Sequence, residues 1–367
     1  MGMQEARHPR RPHNVNPILS SVHVVLAVKN FAAIPGVCHI GLGVTAENTM
    51  KVLRKRGIFA EAWPAQTSRE LWQKLAHAER HHRGAPITHV IVSAPSWVLP
   101  EAFKNFCVRW PEIEFVQLNH SGCAYLSIDK NGMRNIREAC ALELSLHNLR
   151  VAANNARVER FIGSSFGADC VLLPNLYDPD SFLSPFYPEK LAGTLRVGSF
   201  GAGRPWKNQL TAAEAAVMLA EKLGVKLELY VNTKRPDGGE RMIESRRELF
   251  HHLRGCELVD VPWELWPKFR KTIAHMHILF SPSFDETFNV VTADGIAEGV
   301  PSVVTSAIEW APDFWKCDPP DPESIVRVAL GLLHDPRDAV EAARTKLRAF
   351  VADGLQRWEK YLVGIRG

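Results

Sequence analysis

From Val22 onward the chain alternates short β-branched runs with stretches of helical period, and after a proline-rich break it does so again. Alternation of this kind is the mark of βαβ units and a parallel sheet. The first series predicts strands over residues 22–28, 59–63, 89–93, 115–118 and 171–174, with helices over 45–56, 68–80, 99–110 and 133–148 between them. The break reads YDPDSFLSPFYPEKLAG from Tyr177, where Pro179, Pro185 and Pro188 suppress regular structure. The second series resumes with strands over 195–200, 226–231, 277–280 and 302–305 and a helix over 209–223. No unit of roughly 20 to 50 residues recurs, so the expectation is two similar folds and not a solenoid.

A chain of 367 residues is too long for one ordinary core. The reading that follows is an α/β protein of two Rossmann-like, doubly wound domains facing each other across a cleft. Residues 1–20 are expected to be a flexible basic arm, 21–180 the first domain, 181–193 the linker, 194–345 the second domain and 346–367 a C-terminal helix. The helical text at the end, over 321–333 and 337–361, exceeds what the second sheet needs, and its length suggests a return to the first domain.

With 23% charged and 46% hydrophobic residues, the chain is neither a disordered polymer nor starved of core. A formal charge of +4 falls short of the dense positive field of a dedicated duplex binder, yet suits anionic small ligands. Seven scattered cysteines, never spaced as CxxC, read as reduced thiols of a cytoplasmic protein. No apolar run approaches the length of a membrane span and no signal-peptide core follows the first residues. His77, His81 and His82 lack the spacing and acidic partner of a zinc helix, so no metal site is expected.

The most informative text is SPSFDETFNVVTADGIAEGVPSVV, from Ser281 to Val304. A strand ends at Ser281-Pro282 and a helix is predicted to begin near Thr287 or Phe288, so unpaired amides of Thr287, Phe288 and Asn289 would form an anion site. Asp294 falls about two turns beyond Glu286, within reach of ribose hydroxyls if the amides hold phosphate. Acidic residues at a helix start also favour the dipole with no ligand present. Upstream, RVGSFGAGRPWKNQL runs a strand through a glycine-rich loop into a helix, and FVQLNHSGCAYL puts His120 directly after a strand, where α/β sites gather.

Together these segments resemble the donor-binding signature of family-4-like retaining glycosyltransferases of the GT-B fold. Glu286 and Asp294 hold the two acidic positions of that signature, and Gly299-Val300-Pro301 its closing turn. Asp294 departs from the usual Glu by one methylene. Gly198, Gly201 and Lys207 match the family's phosphate loop, but Ser199 stands where an Arg is usual, and Arg204 is a candidate to replace it from within the loop. The resemblance implies that the second domain binds a UDP- or GDP-linked sugar as donor substrate, with no tightly bound cofactor. It implies catalytic positions at His120, Glu286 and Lys207, the ammonium neutralising the leaving diphosphate as a metal does elsewhere. It also places Gly41 and Gly43, in HIGLGVTAENTMKVLRKRG, against the donor sugar or the acceptor.

The reaction implied is glycosyl transfer to an acceptor hydroxyl with retention. The acceptor is a glycan or small molecule, or a hydroxymethylated DNA base, because ETFNVVTAD looks similar to glycosyltransferases encoded by tailed bacteriophages. Arg7, Arg10, Arg11, Lys51, Arg54, Lys55 and Arg56 would then contact phosphates. Two alternatives stay open: a nucleotide-sugar epimerase of the same architecture and a non-catalytic nucleotide-sugar binder. Gly41, Gly43 and Ala46 also satisfy the dinucleotide fingerprint, with Glu61 downstream, but Lys29 to Cys38 separate them from the strand that should end at the first glycine.

Overall fold

The computed structural model describes residues 19–30, 41–81, 85–93, 97–182 and 191–364. The expected arm up to residue 18, the middle of the expected linker and His82 lie outside the described residues. Leu19 does not belong to an arm: it opens a 3-10 turn, Leu19–Ser21, and its side chain is buried in the core.

The first half runs β1 (His23–Lys29), α1 (Gly41–Lys55), β2 (Phe59–Ala65), α2 (Ser68–His81), β3 (His89–Ser93), α3 (Pro100–Arg109), β4 (Glu114–Asn119), α4 (Cys123–Leu126), α5 (Gly132–Glu143), β5 (Leu149–Ala153), α6 (Ala156–Phe166) and β6 (Val171–Leu172). Its six strands pair in the order β2-β1-β3-β4-β5-β6, parallel throughout. The second half runs β7 (Thr194–Ser199), α7 (Gln209–Leu223), β8 (Lys226–Val231), α8 (Glu240–His251), β9 (Cys256–Asp260), α9 (Trp266–Ala274), β10 (Ile278–Phe280), α10 (Val290–Glu298), β11 (Ser302–Val303), α11 (Pro322–His334) and α12 (Pro336–Leu362). Here the order is β11-β10-β7-β8-β9, again parallel.

β1 shows why each sheet is wound on both faces. Val24, Leu26 and Val28 share a core cluster with Val44, Val52 and Leu53 of α1, whereas Val25 and Ala27 pack with Leu71 of α2 and Phe103 and Phe106 of α3. Successive side chains of a strand point to opposite faces, so one apolar strand feeds two helical layers. α1 already includes Gly41 and Gly43, which therefore lie in the helix and not in a loop before Thr45.

α12 joins the halves. Its Asp335 cap accepts from the Asp338 amide, and Arg344 donates to the Ile296 carbonyl of α10 at 2.7 Å. Further along, the Trp358 indole donates to the Pro174 carbonyl at 2.8 Å, Glu359 pairs with Arg56, and Tyr361 donates to Glu114. Gly354 permits this approach, since a Cβ there would lie 3.2 Å from Leu176 and 3.3 Å from Pro174. One buried cluster therefore takes residues from both sheets and from α12. The helix is continuous through residue 345, where the second domain was expected to end.

Candidate active site

Each sheet reverses its strand order at one place, between β1 and β3 in the first and between β7 and β10 in the second. Open α/β sheets bind ligands beyond the carboxyl ends of the strands at such a place. A cavity of about 500 Å³ lies there, lined by Lys29 at the end of β1, by His120 just after β4, and by Ser199, Asn232 and Ser281 at the ends of β7, β8 and β10.

The loop after β7 is shaped by its glycines. Gly201 has φ of 112°, a backbone that side-chain-bearing residues rarely adopt, and its amide donates to Asn232 Oδ1 at 3.3 Å. Gly198 has a packing role instead: a Cβ there would meet the Phe200 ring at 2.4 Å and Leu279 at 2.7 Å. A 3-10 turn, Pro205–Lys207, then carries the Lys207 ammonium to the Glu286 carboxylate. Glu286 Oε1 also accepts from Ser283 Oγ and Asn289 Nδ2, each at 3.0 Å. These two side chains are only 17% and 10% exposed, so the pair sits in a partly dehydrated setting that strengthens its attraction.

α10 starts at Val290, later than Thr287 or Phe288, because Asn289 adopts a left-handed φ of 63° and caps the helix through its side chain, 3.0 Å from the Thr292 amide. The amides of Val290 and Val291 remain without a partner among the described residues and line the cavity. Thr287 instead joins the domains: its hydroxyl donates to the His120 carbonyl at 3.2 Å and accepts from Asn154 at 3.3 Å. The Phe288 ring is buried among Tyr177, Trp310 and Phe350, and the residue lines the cavity.

His120 is half-buried, and its Nε2 is enclosed with no hydrogen-bond partner among the described residues. Burial pushes its pKa down to about 4, so the imidazole is neutral near pH 7 and offers a hydrogen-bond acceptor rather than a base. Arg204 lies in the cavity wall, held by Asp237 at 2.8 Å and stacked 5.0 Å from Tyr125 and 5.7 Å from Trp206. Gly41 lines the cavity, whereas Gly43, two residues along α1, is not among the lining residues.

Solved structures with the same two-sheet arrangement extend over nearly the whole chain. A sucrose-phosphate synthase from Thermosynechococcus elongatus matches with a TM-score of 0.62 at 14% identity, over 92% of this chain and 98% of its own. A UDP-forming α,α-trehalose-phosphate synthase from Burkholderia xenovorans matches with 0.64 at 9% identity, over 94% and 99%. An E. coli trehalose-6-phosphate structure bound with UDP-2-fluoro-glucose matches with 0.60 at 9% identity, again over 94% and 99%. The chain has the GT-B fold. At such identities the likeness is one of fold; no protein-family model and no curated protein matches the sequence.

Within the GT-B cleft, Asp294 occupies a different setting from the one expected. It is 0% exposed, and its carboxylate is committed to the chain's own donors: Tyr177 hydroxyl at 2.6 Å and Trp266 Nε1 at 3.1 Å from both oxygens. Buried Arg270 stands 4.0 Å away and is itself bonded to Glu298 and to the Ser181 carbonyl, both at 2.5 Å. Burial raises the Asp294 pKa to about 6 despite these donors. The shorter side chain thus ends among protein groups, tying α10 to α9 and to the segment that leaves the first domain, and it does not present an open carboxylate to a ribose.

The basic residues expected to meet DNA are also engaged elsewhere. Lys51 pairs with Glu47 and lies over Trp266, Arg54 donates to the Ala60 carbonyl, Lys55 pairs with Asp178 and Arg56 with Glu359. Arg7, Arg10 and Arg11 lie outside the described residues.

Three groups at the cleft escaped pattern reading. Arg157 of α6 donates to the carbonyls of Glu286 and Ala307 at 2.6 and 2.7 Å, holding the acidic loop from the first domain. Asn155 donates to the Thr287 carbonyl at 3.2 Å. Asp285 crosses the cleft to accept from the Ala124 amide at 3.0 Å. The signal for the first two was ANNAR after a strand, which goes unread when β5 itself is not recognised. Among the described residues no cluster of three or more His, Cys, Asp and Glu is placed to hold a metal ion, six cysteines are free, and no helix is long and apolar enough to cross a membrane.

Proposed function

We propose that the chain is a glycosyltransferase that moves a sugar from a nucleoside diphosphate, UDP- or GDP-linked, to an acceptor hydroxyl with retention. The observation that carries this reading is the Lys207–Glu286 pair beside the two open amides of α10, at the strand-order reversal of the second sheet. A departing diphosphate needs positive groups that are already oriented, and an ammonium and helix-terminal amides supply them. Glu286 keeps the ammonium fixed. In transfer, the bond from C1 to the diphosphate oxygen breaks with its electron pair as the acceptor oxygen bonds to C1 on the same face. The acceptor's proton passes to the departing diphosphate, and neutral His120 across the cleft accepts a hydrogen bond from the sugar or acceptor hydroxyls.

The family-4-like signature supports the assignment through Glu286, Lys207 and Gly201, with Asp294 redirected to the fold. The acceptor is a glycan or small molecule. Epimerisation requires acid and base groups around the sugar, and among the described residues the first-domain wall of the cavity offers a single carboxylate, Asp129.

Incubation with a panel of nucleotide sugars, with and without acceptors, tests the proposal by the nucleoside diphosphate released. Acceptor-dependent release from one donor is expected. Conversion of a donor into its epimer, or tight donor binding with no release under any condition, would replace this reading by one of the two alternatives.

A further inference from the structure

Three consecutive residues of the acidic loop are bonded to the other domain. Asp285 Oδ2 accepts from the Ala124 amide at 3.0 Å, and the Glu286 carbonyl accepts from Arg157 at 2.6 Å. Thr287 is held twice, through its carbonyl by Asn155 at 3.2 Å and through its hydroxyl by Asn154 at 3.3 Å. The Glu286 side chain, by contrast, is bonded within its own domain, to Lys207, Ser283 and Asn289. The first domain therefore fixes the backbone of this loop while the carboxylate works in the second.

The grip has a defined geometry. Asn155 caps α6 with its Oδ1, which accepts from the Arg157 amide at 2.8 Å and leaves Nδ2 for the Thr287 carbonyl. Arg157 Nη2 serves two carbonyls, that of Glu286 and that of Ala307 at 2.7 Å. Glu286 follows β10 and Ala307 follows β11, so one guanidinium ties together two loops of the second sheet. The Thr305 hydroxyl closes the same seam by donating to the Ser283 carbonyl at 2.6 Å. Outside support offsets a local cost, because the loop ends at Asn289, whose φ of 63° is a backbone that residues with side chains seldom adopt.

We infer that Arg157 is a positioning residue for the transfer: by holding the Glu286 backbone it sets the carboxylate that orients Lys207, so the donor site is complete only with the first domain docked against it. This rests on the glycosyltransferase reading. Arg157 is not among the residues lining the cavity, so its effect passes through Glu286. A reacting group misplaced by about 1 Å costs on the order of a hundredfold in rate, which sets the scale of what such a clamp contributes.

The test is Arg157→Met, which keeps the apolar stem and deletes the guanidinium, alone and combined with Glu286→Gln. Arg157→Met should lower turnover at saturating donor about tenfold to a hundredfold, while the donor Michaelis constant changes less than about threefold. In the Glu286→Gln background the same change should cost no more than about threefold, because the group it positions has gone. A merely structural role gives equal losses in both backgrounds. Glu309→Gln is the control: it removes only the half-exposed Arg157–Glu309 ion pair, 3.1 Å long, and should leave turnover near that of the wild type. If Arg157→Met lowers the unfolding midpoint steeply, Arg157→Lys, which keeps the charge, is read in the same cycle and should show a smaller loss of the same pattern. Amide hydrogen exchange gives a readout independent of turnover. The Phe284 and Thr292 amides, bonded at 2.8 and 3.0 Å on either side of the loop, should exchange about tenfold faster in Arg157→Met, with α12 unchanged. Unchanged turnover, equal losses in both backgrounds, or unchanged exchange overturns the inference. If the wild type releases diphosphate from no donor, the transferase reading fails, and the exchange result alone decides whether Arg157 holds the loop.

Discussion

Replacing Tyr177 by Phe deletes one oxygen from a site closed to solvent, and the structure fixes what that oxygen does. It donates at 2.6 Å to Asp294, whose carboxylate is wholly buried. A hydrogen bond to a charged acceptor contributes about 1.5–3 kcal/mol net. The carboxylate is not orphaned, because Trp266 still donates at 3.1 Å and Arg270 stays 4.0 Å away, which argues for the middle of that range, about 2 kcal/mol. With a denaturant slope of about 3 kcal/mol/M, the urea midpoint should fall by roughly 0.7 M with the slope unchanged. The pH dependence has a definite sign. The Asp294 pKa is raised to about 6 from an ordinary 3.8, so its titration contributes stability that is fully present below about 3.8 and lost as pH rises through about 6. Asp294→Asn, neutral at every pH, lacks that loss, so the wild type should weaken relative to this variant between pH 4 and pH 7. Donor Michaelis constants should move little in either variant. A large rise in the donor Michaelis constant of Asp294→Asn, with no change in unfolding midpoint, would return Asp294 to the ribose and refute the network described here.

Two other outcomes follow from the geometry. Lys207→Ala should lower turnover at saturating donor on the order of a hundredfold, and adding Glu286→Gln should cost much less than it does alone, since the two residues act as one unit in a double-mutant cycle. Trp358→Ala removes a fully buried indole at the domain junction and should destabilise the chain by about 3–5 kcal/mol in equilibrium unfolding, with the first domain losing amide protection before the second.

Where strands carry several β-branched residues in a row, as in β1 and β3, the pattern was readable and the two-domain α/β architecture with it. β5 was missed because LRVAA holds a single β-branched residue, and β9 because CELVD does too. Both are strands by virtue of their neighbours, which periodicity cannot see. The acidic loop was recognised from its spacing, but its internal geometry was not: α10 starts late because Asn289 takes a left-handed backbone, a choice that neighbouring contacts impose. Lys207 and Glu286 were each singled out, yet 79 residues separate them and nothing local announces that they pair. The network around Asp294 was not legible for the same reason, since its partner Tyr177 lies 117 residues away in the proline-rich break.

The closing role of α12 has a consequence for how the molecule is made. The slot at Pro174 that receives Trp358 is synthesised 184 residues ahead of the tryptophan that fills it. At about 5–20 residues per second, the ribosome leaves that interval open for roughly 10 to 40 s. Through it, the nascent first domain exposes apolar surface around Leu176 and Tyr177 that the finished protein hides. A holdase or trigger-factor-like chaperone should therefore dwell on this stretch until the last helix emerges, and truncating the chain within α12 should leave the first domain prone to aggregate even though its own six strands are intact.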